Sequence, residues 1–186
     1  MSLEQQKDIL DYLHDKYNRV EFIENDPISI PHSFVDKLDI EISGFLASTI
    51  AWGNRKAIVK SANRMMMYMD NCPGGFVKEA SESEIAHLGS YVHRTFNGED
   101  FISFVRALRR IINTYGSIGN LVKKLYAESG DMRTVLSRFH YEFFLCDHTP
   151  HCRKHLSSID KGAACKRLNM YFRWMVRHDE QGVDFG

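Results

Sequence analysis

Apolar residues recur at intervals of three and four positions along almost the whole chain, and strict alternation is rare. The clearest run contains Phe101, Phe104, Val105, Leu108, Ile111, Ile112 and Tyr115. This spacing places its members on one face of a helix. Prolines, which interrupt helices, occur only at positions 27, 31, 73 and 150. The sequence therefore predicts an all-α fold, and 186 residues are enough for a single helical domain with a full hydrophobic core.

Capping residues and turn sequences predict where the helices begin and end. They indicate a helix from Leu3 to Tyr17, an extended segment at 26–31 and a helix from an N-cap at Ser33 to about Gly53. A helix from Arg55 to Asp70 is expected to be closed by the CPGG turn at 72–75. A weaker helical stretch follows from Glu82 to Val92, and later helices are capped by Ser117 and Asp131. Gly116 is expected to end the Phe101 helix with a left-handed residue.

Charge is distributed unevenly along a chain that is neutral as a whole. Residues 21–41 contain six acids and one base, whereas residues 151–177 contain seven bases and one acid. The sequence shows neither a signal peptide nor an apolar run long enough to cross a bilayer, so we expect a cytoplasmic protein with no membrane partner. The four cysteines have no regular spacing and are expected to be reduced.

The basic segment is predicted to form a helix from about Ala163 to Arg177 that follows a glycine turn. One stripe of this helix is apolar and faces the core: Leu168, Tyr171, Phe172, Met175 and Val176. The opposite stripe is basic and contains Lys166, Arg173 and Arg177. Such a stripe can bind phosphate through long basic side chains and through the free amides of a helix N-terminus. It is equally typical of the solvated face of an ordinary amphipathic helix.

The sequence Gly162-Ala163-Ala164-Cys165-Lys166 resembles the helix-hairpin-helix motif of the DNA glycosylase superfamily, in its 8-oxoguanine branch. That motif reads Gly-x-Gly-x-Lys, so Gly162 and Lys166 match it and Ala164 replaces the second glycine. The resemblance implies a multi-helix orthogonal bundle with a helix-hairpin-helix-like element at 152–177. Longer strings, among them DPISIPHSF, AWGNR, HRTFN and KGAACKRLNMYFRWMVR, resemble a bacterial family of unknown function associated with that superfamily.

The resemblance implies a DNA-binding protein related to base-excision-repair glycosylases. Lys166 would be the catalytic nucleophile, whose neutral amine attacks the sugar of a flipped nucleotide. Gly162, Arg167, Arg173 and Arg177 would contact the DNA backbone. Asn54 and Arg55 would probe the base stack, although a Trp-Gly-Asn turn is more often only the end of a helix. The alternative is a helical interaction protein whose basic helix binds an acidic partner or a second copy of the chain.

Enzymes of this superfamily also need an aspartate downstream of the lysine, followed by a histidine in the branch named above. Asp179 and Asp184 are the only carboxylates of this kind after Lys166, and neither stands in such a setting. The resemblance therefore implies a fold that is incomplete at the C-terminus and a chain of doubtful activity.

No cofactor is expected, because the sequence contains no P-loop, Rossmann glycine pattern or nucleophile elbow. A tract between positions 140 and 155 is rich in metal-binding residues: His140, Cys146, His148, His151, Cys152 and His155. Its spacing matches no familiar zinc finger, so no metal site is predicted.

Overall fold

The computed structural model describes every residue from Met1 to Gly186 and contains ten α-helices. They are α1 (Leu3–Tyr17), α2 (Val20–Ile23), α3 (Lys37–Thr49), α4 (Arg55–Tyr68), α5 (Pro73–Glu79), α6 (Glu82–His87), α7 (Gly98–Tyr115), α8 (Ile118–Ser129), α9 (Met132–Phe143) and α10 (Lys166–Val176). Five 3-10 segments connect them: Pro27–Ser29, Pro31–Ser33, Leu88–Ser90, Pro150–His155 and Ile159–Lys161. The all-α prediction is confirmed.

The only sheet is an antiparallel hairpin of two-residue strands, β1 (Val92–His93) and β2 (Phe96–Asn97), which leads directly into α7. None of the helices combines the length and the apolar character needed to span a bilayer.

Helix α3 lies at the centre of the fold, and every residue of its second half, from Ile42 to Thr49, is buried. It packs against α4, α5, α8 and α10. The ring of Phe45 contacts four other rings, which come from α7, α9 and α10: Phe104, Phe139, Phe143 and Tyr171. Aromatic pairs of this kind contribute roughly 0.5–1.5 kcal/mol each beyond their buried area. Phe45 therefore joins the central helix to three of its neighbours.

Helix α7 forms the second layer, and its first residue is set by the N-cap Asn97. The Asn97 side chain accepts a hydrogen bond from the Asp100 amide, and the Asp100 carboxylate accepts one from the Asn97 amide, both at 3.0 Å. This capping box ties β2 to α7. The predicted caps at Ser117 and Asp131 are confirmed, and Gly116 ends α7 with a positive φ of 84°.

The N-terminal part departs from the sequence prediction in two places. The cap of α3 is Asp36, whose Oδ1 accepts hydrogen bonds from the amides of Leu38 and Asp39 at 2.8 and 3.2 Å. Ser33 instead ends a 3-10 segment, and its hydroxyl donates to the Ser29 carbonyl at 3.1 Å rather than capping α3. Of the segment 26–31, which was expected to be extended, only Asp26 has extended backbone angles. The two prolines stand at the first positions of consecutive 3-10 turns, where their fixed φ is favourable.

Three helix boundaries were also predicted wrongly. Helix α3 ends at Thr49, four residues before Gly53. The CPGG sequence does not close a helix but opens α5, with Pro73 at its first position. Helix α4 ends earlier, at Tyr68, and is followed by Asp70 and Asn71 with positive φ.

Two further helices differ in the face that they bury. The apolar stripe of α1 does not join the core, since the helix has no buried residue. Helix α10 begins at Lys166 rather than Ala163, and a three-residue 3-10 turn precedes Gly162 where a helix was expected. Its buried face contains Trp174, while Val176 is exposed.

The reassigned cap of α3 gives a stability prediction. Replacing Asp36 with Ala removes the acceptor for two amides of the central helix and is expected to lower the free energy of unfolding by about 1 kcal/mol. Ser33→Ala is the matched control and is expected to have a smaller effect, because Ser33 caps no helix. Urea unfolding followed by circular dichroism measures both. A larger loss for Ser33→Ala would contradict the assignment.

Candidate nucleic-acid interface

The turn before α10 contains two residues in the left-handed conformation, Gly162 (φ 78°) and Cys165 (φ 47°). Glycine adopts this conformation freely, whereas for other residues it costs roughly 1–2 kcal/mol. Burial holds Cys165 in place: its side chain is inside the core and its Sγ donates to the Ser157 carbonyl at 3.4 Å. The turn is therefore anchored from within while Gly162 and Ala164 remain exposed.

Five consecutive backbone amides in this turn, from Ala164 to Leu168, donate to no acceptor within the protein. The first bond of α10 is made by the Asn169 amide to the Cys165 carbonyl at 2.9 Å, and no side chain caps the helix. Free amides at a helix N-terminus, together with the positive end of the helix dipole, favour an anion. Backbone of this kind can surround a phosphate.

Two exposed lysines accompany these amides: Lys161 precedes the row, and Lys166 lies within it. Lys166 is the first residue of α10, and neither lysine forms a salt bridge. Their ammonium groups are therefore available to a phosphate without breaking an existing ion pair.

Arg167 points into the protein rather than toward solvent. Its guanidinium donates to the Thr49 carbonyl at the end of α3 and to the His155 carbonyl at 3.1 Å. It also lies over the ring of Trp52, 4.9 Å from the ring centroid. Burial lowers the pKa of Arg167. Arg167 thus caps the C-terminus of α3, where a cation is favourable, and holds the turn to the core.

Arg173 and Arg177 are paired with the chain's own carboxylates. Both pair with the carboxylate of Asp184, which is almost fully buried, at 3.1 and 2.6 Å. Arg177 also pairs with Asp179 at 2.9 Å and donates to the Asn18 side chain. The segment that contains Asp184 runs back along α10, since the Phe185 amide donates to the Trp174 carbonyl at 2.7 Å. The second half of the basic stripe is therefore largely neutralised.

Asn54 and Arg55 lie at the start of α4. Asn54 is the N-cap, because its Oδ1 accepts from the Ala57 amide at 3.1 Å. Arg55 lies 3.6 Å from Asp26 and 5.0 Å from the centroid of the Phe22 ring. Together with Arg173, Arg177 and apolar residues of α1, Arg55 lines a groove of about 420 Å³. The predicted site residues thus fall into two groups: Gly162 and Lys166 at the N-terminus of α10, and Arg55, Arg173 and Arg177 near its C-terminus.

A cluster that the sequence interpretation missed lies close to this turn. Asp100, which is completely buried, accepts hydrogen bonds from His151 Nδ1 at 2.7 Å and from His155 Nε2 at 3.1 Å. The ring of His155 stacks on Trp52, the same ring that Arg167 covers. The histidines were noticed in the sequence, but Asp100 stands about fifty positions upstream. The only signal for Asp100 in the sequence is its position three residues after Asn97, which is typical of a capping box.

The other histidines and cysteines of the tract at 140–155 form no hydrogen bond to Asp100. His148 Nδ1 contacts the Cys146 carbonyl at 2.7 Å, and Cys152 is fully buried. Burial, assisted by the negative charge of Asp100, raises the pKa of Cys152 to about 11. Its thiol is therefore protonated at neutral pH and is not a nucleophile.

Residues 26–186 match the model of a family described as a protein of unknown function (DUF2400). The chain belongs to this family. The DUF2400 match includes the turn before α10, Asn54, Arg55 and the Asp100 cluster, whereas α1 and α2 precede it. No curated protein and no solved structure matches the chain.

The contrast between Arg167 and Lys166 gives a second prediction. Arg167→Met leaves the carbonyls of Thr49 and His155 without their donor and removes the cation from Trp52, so we expect the free energy of unfolding to fall by about 2 kcal/mol. Lys166→Gln, its neighbour on the exposed face, is expected to change it by less than about 0.5 kcal/mol. Urea unfolding compares the two variants. Equal losses would show that Arg167 does not anchor the turn.

Proposed function

We propose that this protein binds DNA through its phosphate backbone, at the turn that precedes α10. The row of five unpaired amides from Ala164 to Leu168 carries the proposal, because it offers an anion a set of donors that the fold leaves free. The resemblance of Gly162 and Lys166 to the glycosylase helix-hairpin-helix supports DNA as the source of the phosphate. The exposed ammonium groups of Lys161 and Lys166 add the charge that phosphate contacts require.

In this proposal the basic residues have different roles. Gly162 and Lys166 contact the DNA backbone directly. Arg167 does not contact DNA but holds the turn against the carbonyls of Thr49 and His155. Arg173 lies seven residues after Lys166, about 10 Å further along the same helix face, and reaches a second phosphate only by loosening its pair with Asp184. Arg55 lines the groove at that end, and Arg55 and the adjacent Asn54 are assigned a secondary contact.

The DNA proposal is tested by the salt dependence of binding. We expect a labelled duplex of about 20 base pairs to bind most tightly at low salt, with affinity falling steeply between about 50 and 200 mM. Lys166→Gln should weaken binding and reduce the slope of log affinity against log salt by about 1. Lys123→Gln is the control, since Lys123 is an exposed lysine on α8. Fluorescence anisotropy provides the measurement.

Two results would contradict this proposal. Absence of duplex binding at low salt would remove DNA as the partner, because phosphate contacts are strongest there. Equal effects of Lys166→Gln and Lys123→Gln would show that binding does not depend on the turn. Binding of an acidic protein under the same conditions, with no binding of DNA, would favour the interaction-protein alternative.

The resemblance also assigns Lys166 the role of a nucleophile, which needs a carboxylate to stabilise the developing charge on the sugar. The two downstream candidates, Asp179 and Asp184, are both paired with Arg177, at the opposite end of α10 from Lys166. We therefore propose DNA binding for this chain without base excision.

Borohydride trapping tests whether Lys166 acts as a nucleophile. A nucleophilic amine forms a Schiff base with the sugar, and reduction converts that Schiff base into a permanent crosslink. On DNA with an abasic or an oxidised-guanine site, we expect the native chain and Lys166→Gln to give equal, background amounts of crosslinked product. A crosslink that forms with the native chain and is lost in Lys166→Gln would establish Lys166 as the nucleophile and overturn the restriction.

A further inference from the structure

We propose that Asp100, His151 and His155 form a binding site for one zinc ion, with three protein ligands and an open fourth position. The three residues come from the first turn of α7 and from the 3-10 segment Pro150–His155 that packs against it. Their potential ligand atoms all lie within 4.8 Å of one another. This proposal does not depend on DNA binding.

The distances between the three groups are close to those of a tetrahedral site. Zinc binds imidazole nitrogen and carboxylate oxygen at about 2.0–2.2 Å, which places neighbouring ligand atoms about 3.3 Å apart. His151 Nδ1 lies 2.7 Å from Asp100 Oδ1, and His155 Nε2 lies 3.1 Å from Asp100 Oδ2. Outward movement of the two rings by a few tenths of an ångström brings both distances to the separation that a tetrahedral ion requires.

The surroundings hold two of the ligands in place before metal arrives. The Asn97 amide donates to Asp100 Oδ2 at 3.0 Å, which holds the carboxylate in place, while Oδ1 contacts His151 Nδ1 and is the oxygen that would turn to a metal. The ring of His155 is stacked on Trp52, with the centroids 5.9 Å apart, and meets the edge of Phe96 at 5.0 Å. Such outer contacts orient metal ligands and raise metal affinity.

The donor set and its burial favour zinc. Two imidazoles and one carboxylate bind catalytic zinc and also non-haem iron, which needs several open coordination positions. Here the side chains of Asp100 and His155 are 0% and 3% exposed, and only His151, at 43%, reaches solvent. One open position on the His151 side suits a four-coordinate ion better than a six-coordinate one.

Lys154 makes the proposed metal site testable, because it contacts one of the ligands. Its Nζ lies 2.5 Å from His151 Nε2, so in the metal-free state His151 accepts from Lys154 and donates its Nδ1 proton to Asp100. When Nδ1 binds a metal, the remaining ring proton moves to Nε2, which then cannot accept from an ammonium group. Metal binding therefore displaces Lys154, and removing the lysine should strengthen binding.

The test uses the full chain after treatment with a chelator. We expect it to take up one equivalent of Co²⁺, with the visible absorption of a four-coordinate site, and we expect Zn²⁺ to displace the cobalt. Zinc should also raise the melting temperature. His151→Gln and His155→Gln are each expected to lower the affinity at least about tenfold. Lys154→Met is expected to raise it, because no ammonium group then competes for His151 Nε2.

His148→Gln is the matched control, because it changes a histidine of the same tract that faces the Cys146 carbonyl. It should not alter metal uptake. Failure of the native chain to take up cobalt or zinc, or equal uptake by the native chain and His151→Gln, would overturn the proposal. The test uses His151 variants rather than Asp100→Asn because the His151 side chain is partly exposed, whereas Asp100 is buried and its replacement endangers folding. Circular dichroism of each variant checks this directly.

Discussion

The burial of the second half of α3 on all sides is the constraint on which the rest of the fold depends. A helical segment in which every residue is buried cannot lie on a surface, so other helices must surround it, and Phe45 supplies the contact that brings α7, α9 and α10 together. The end of such a helix also leaves carbonyl groups that need donors. Arg167 meets this need from the first turn of α10. The requirement of the central helix therefore fixes the position of the turn that we assign to phosphate.

The turn and the Asp100 cluster are mechanically connected, although the two proposals stand on separate observations. Arg167 covers one face of Trp52 and binds the His155 carbonyl, while the His155 ring stacks on Trp52 and binds Asp100. The 3-10 segment at 150–155 and the first turn of α10 are therefore joined through Trp52 and the His155 carbonyl. The link consists of short contacts between four side chains.

The sequence was sufficient where local chemistry decides the structure. The stripe from Phe101 to Tyr115 and the caps at Ser117 and Asp131 depend on residues within one turn of each other, and these predictions are correct. The cap of α3 was misassigned because Ser33 and Asp36 are both good capping residues, and the buried 3-10 turns before them decide between the two. The apolar stripe of α1 predicted the helix but not its exposure, since periodicity does not show what covers a face.

The candidate site was less predictable, for physical reasons that differ from residue to residue. Gly162 and Lys166 stand out because a turn followed by a basic helix is a local pattern. Arg167 was expected on the DNA, but its inward direction depends on Thr49 and Trp52, which are more than a hundred positions away. Asp100 could not be connected with His151 and His155, because only the packing of α7 against the 3-10 segment at 150–155 brings them together.

The buried carboxylate of Asp184 has a consequence for how a charged partner approaches. Because Asp184 and Asp179 together offset the charges of Arg173 and Arg177, the positive potential of α10 is concentrated at its N-terminal end, where the dipole, Lys161 and Lys166 add together. A polyanion is attracted to a point rather than to a line. Electrostatic steering then orients it across the tip of α10, so that encounter and docking occur at the same few backbone amides.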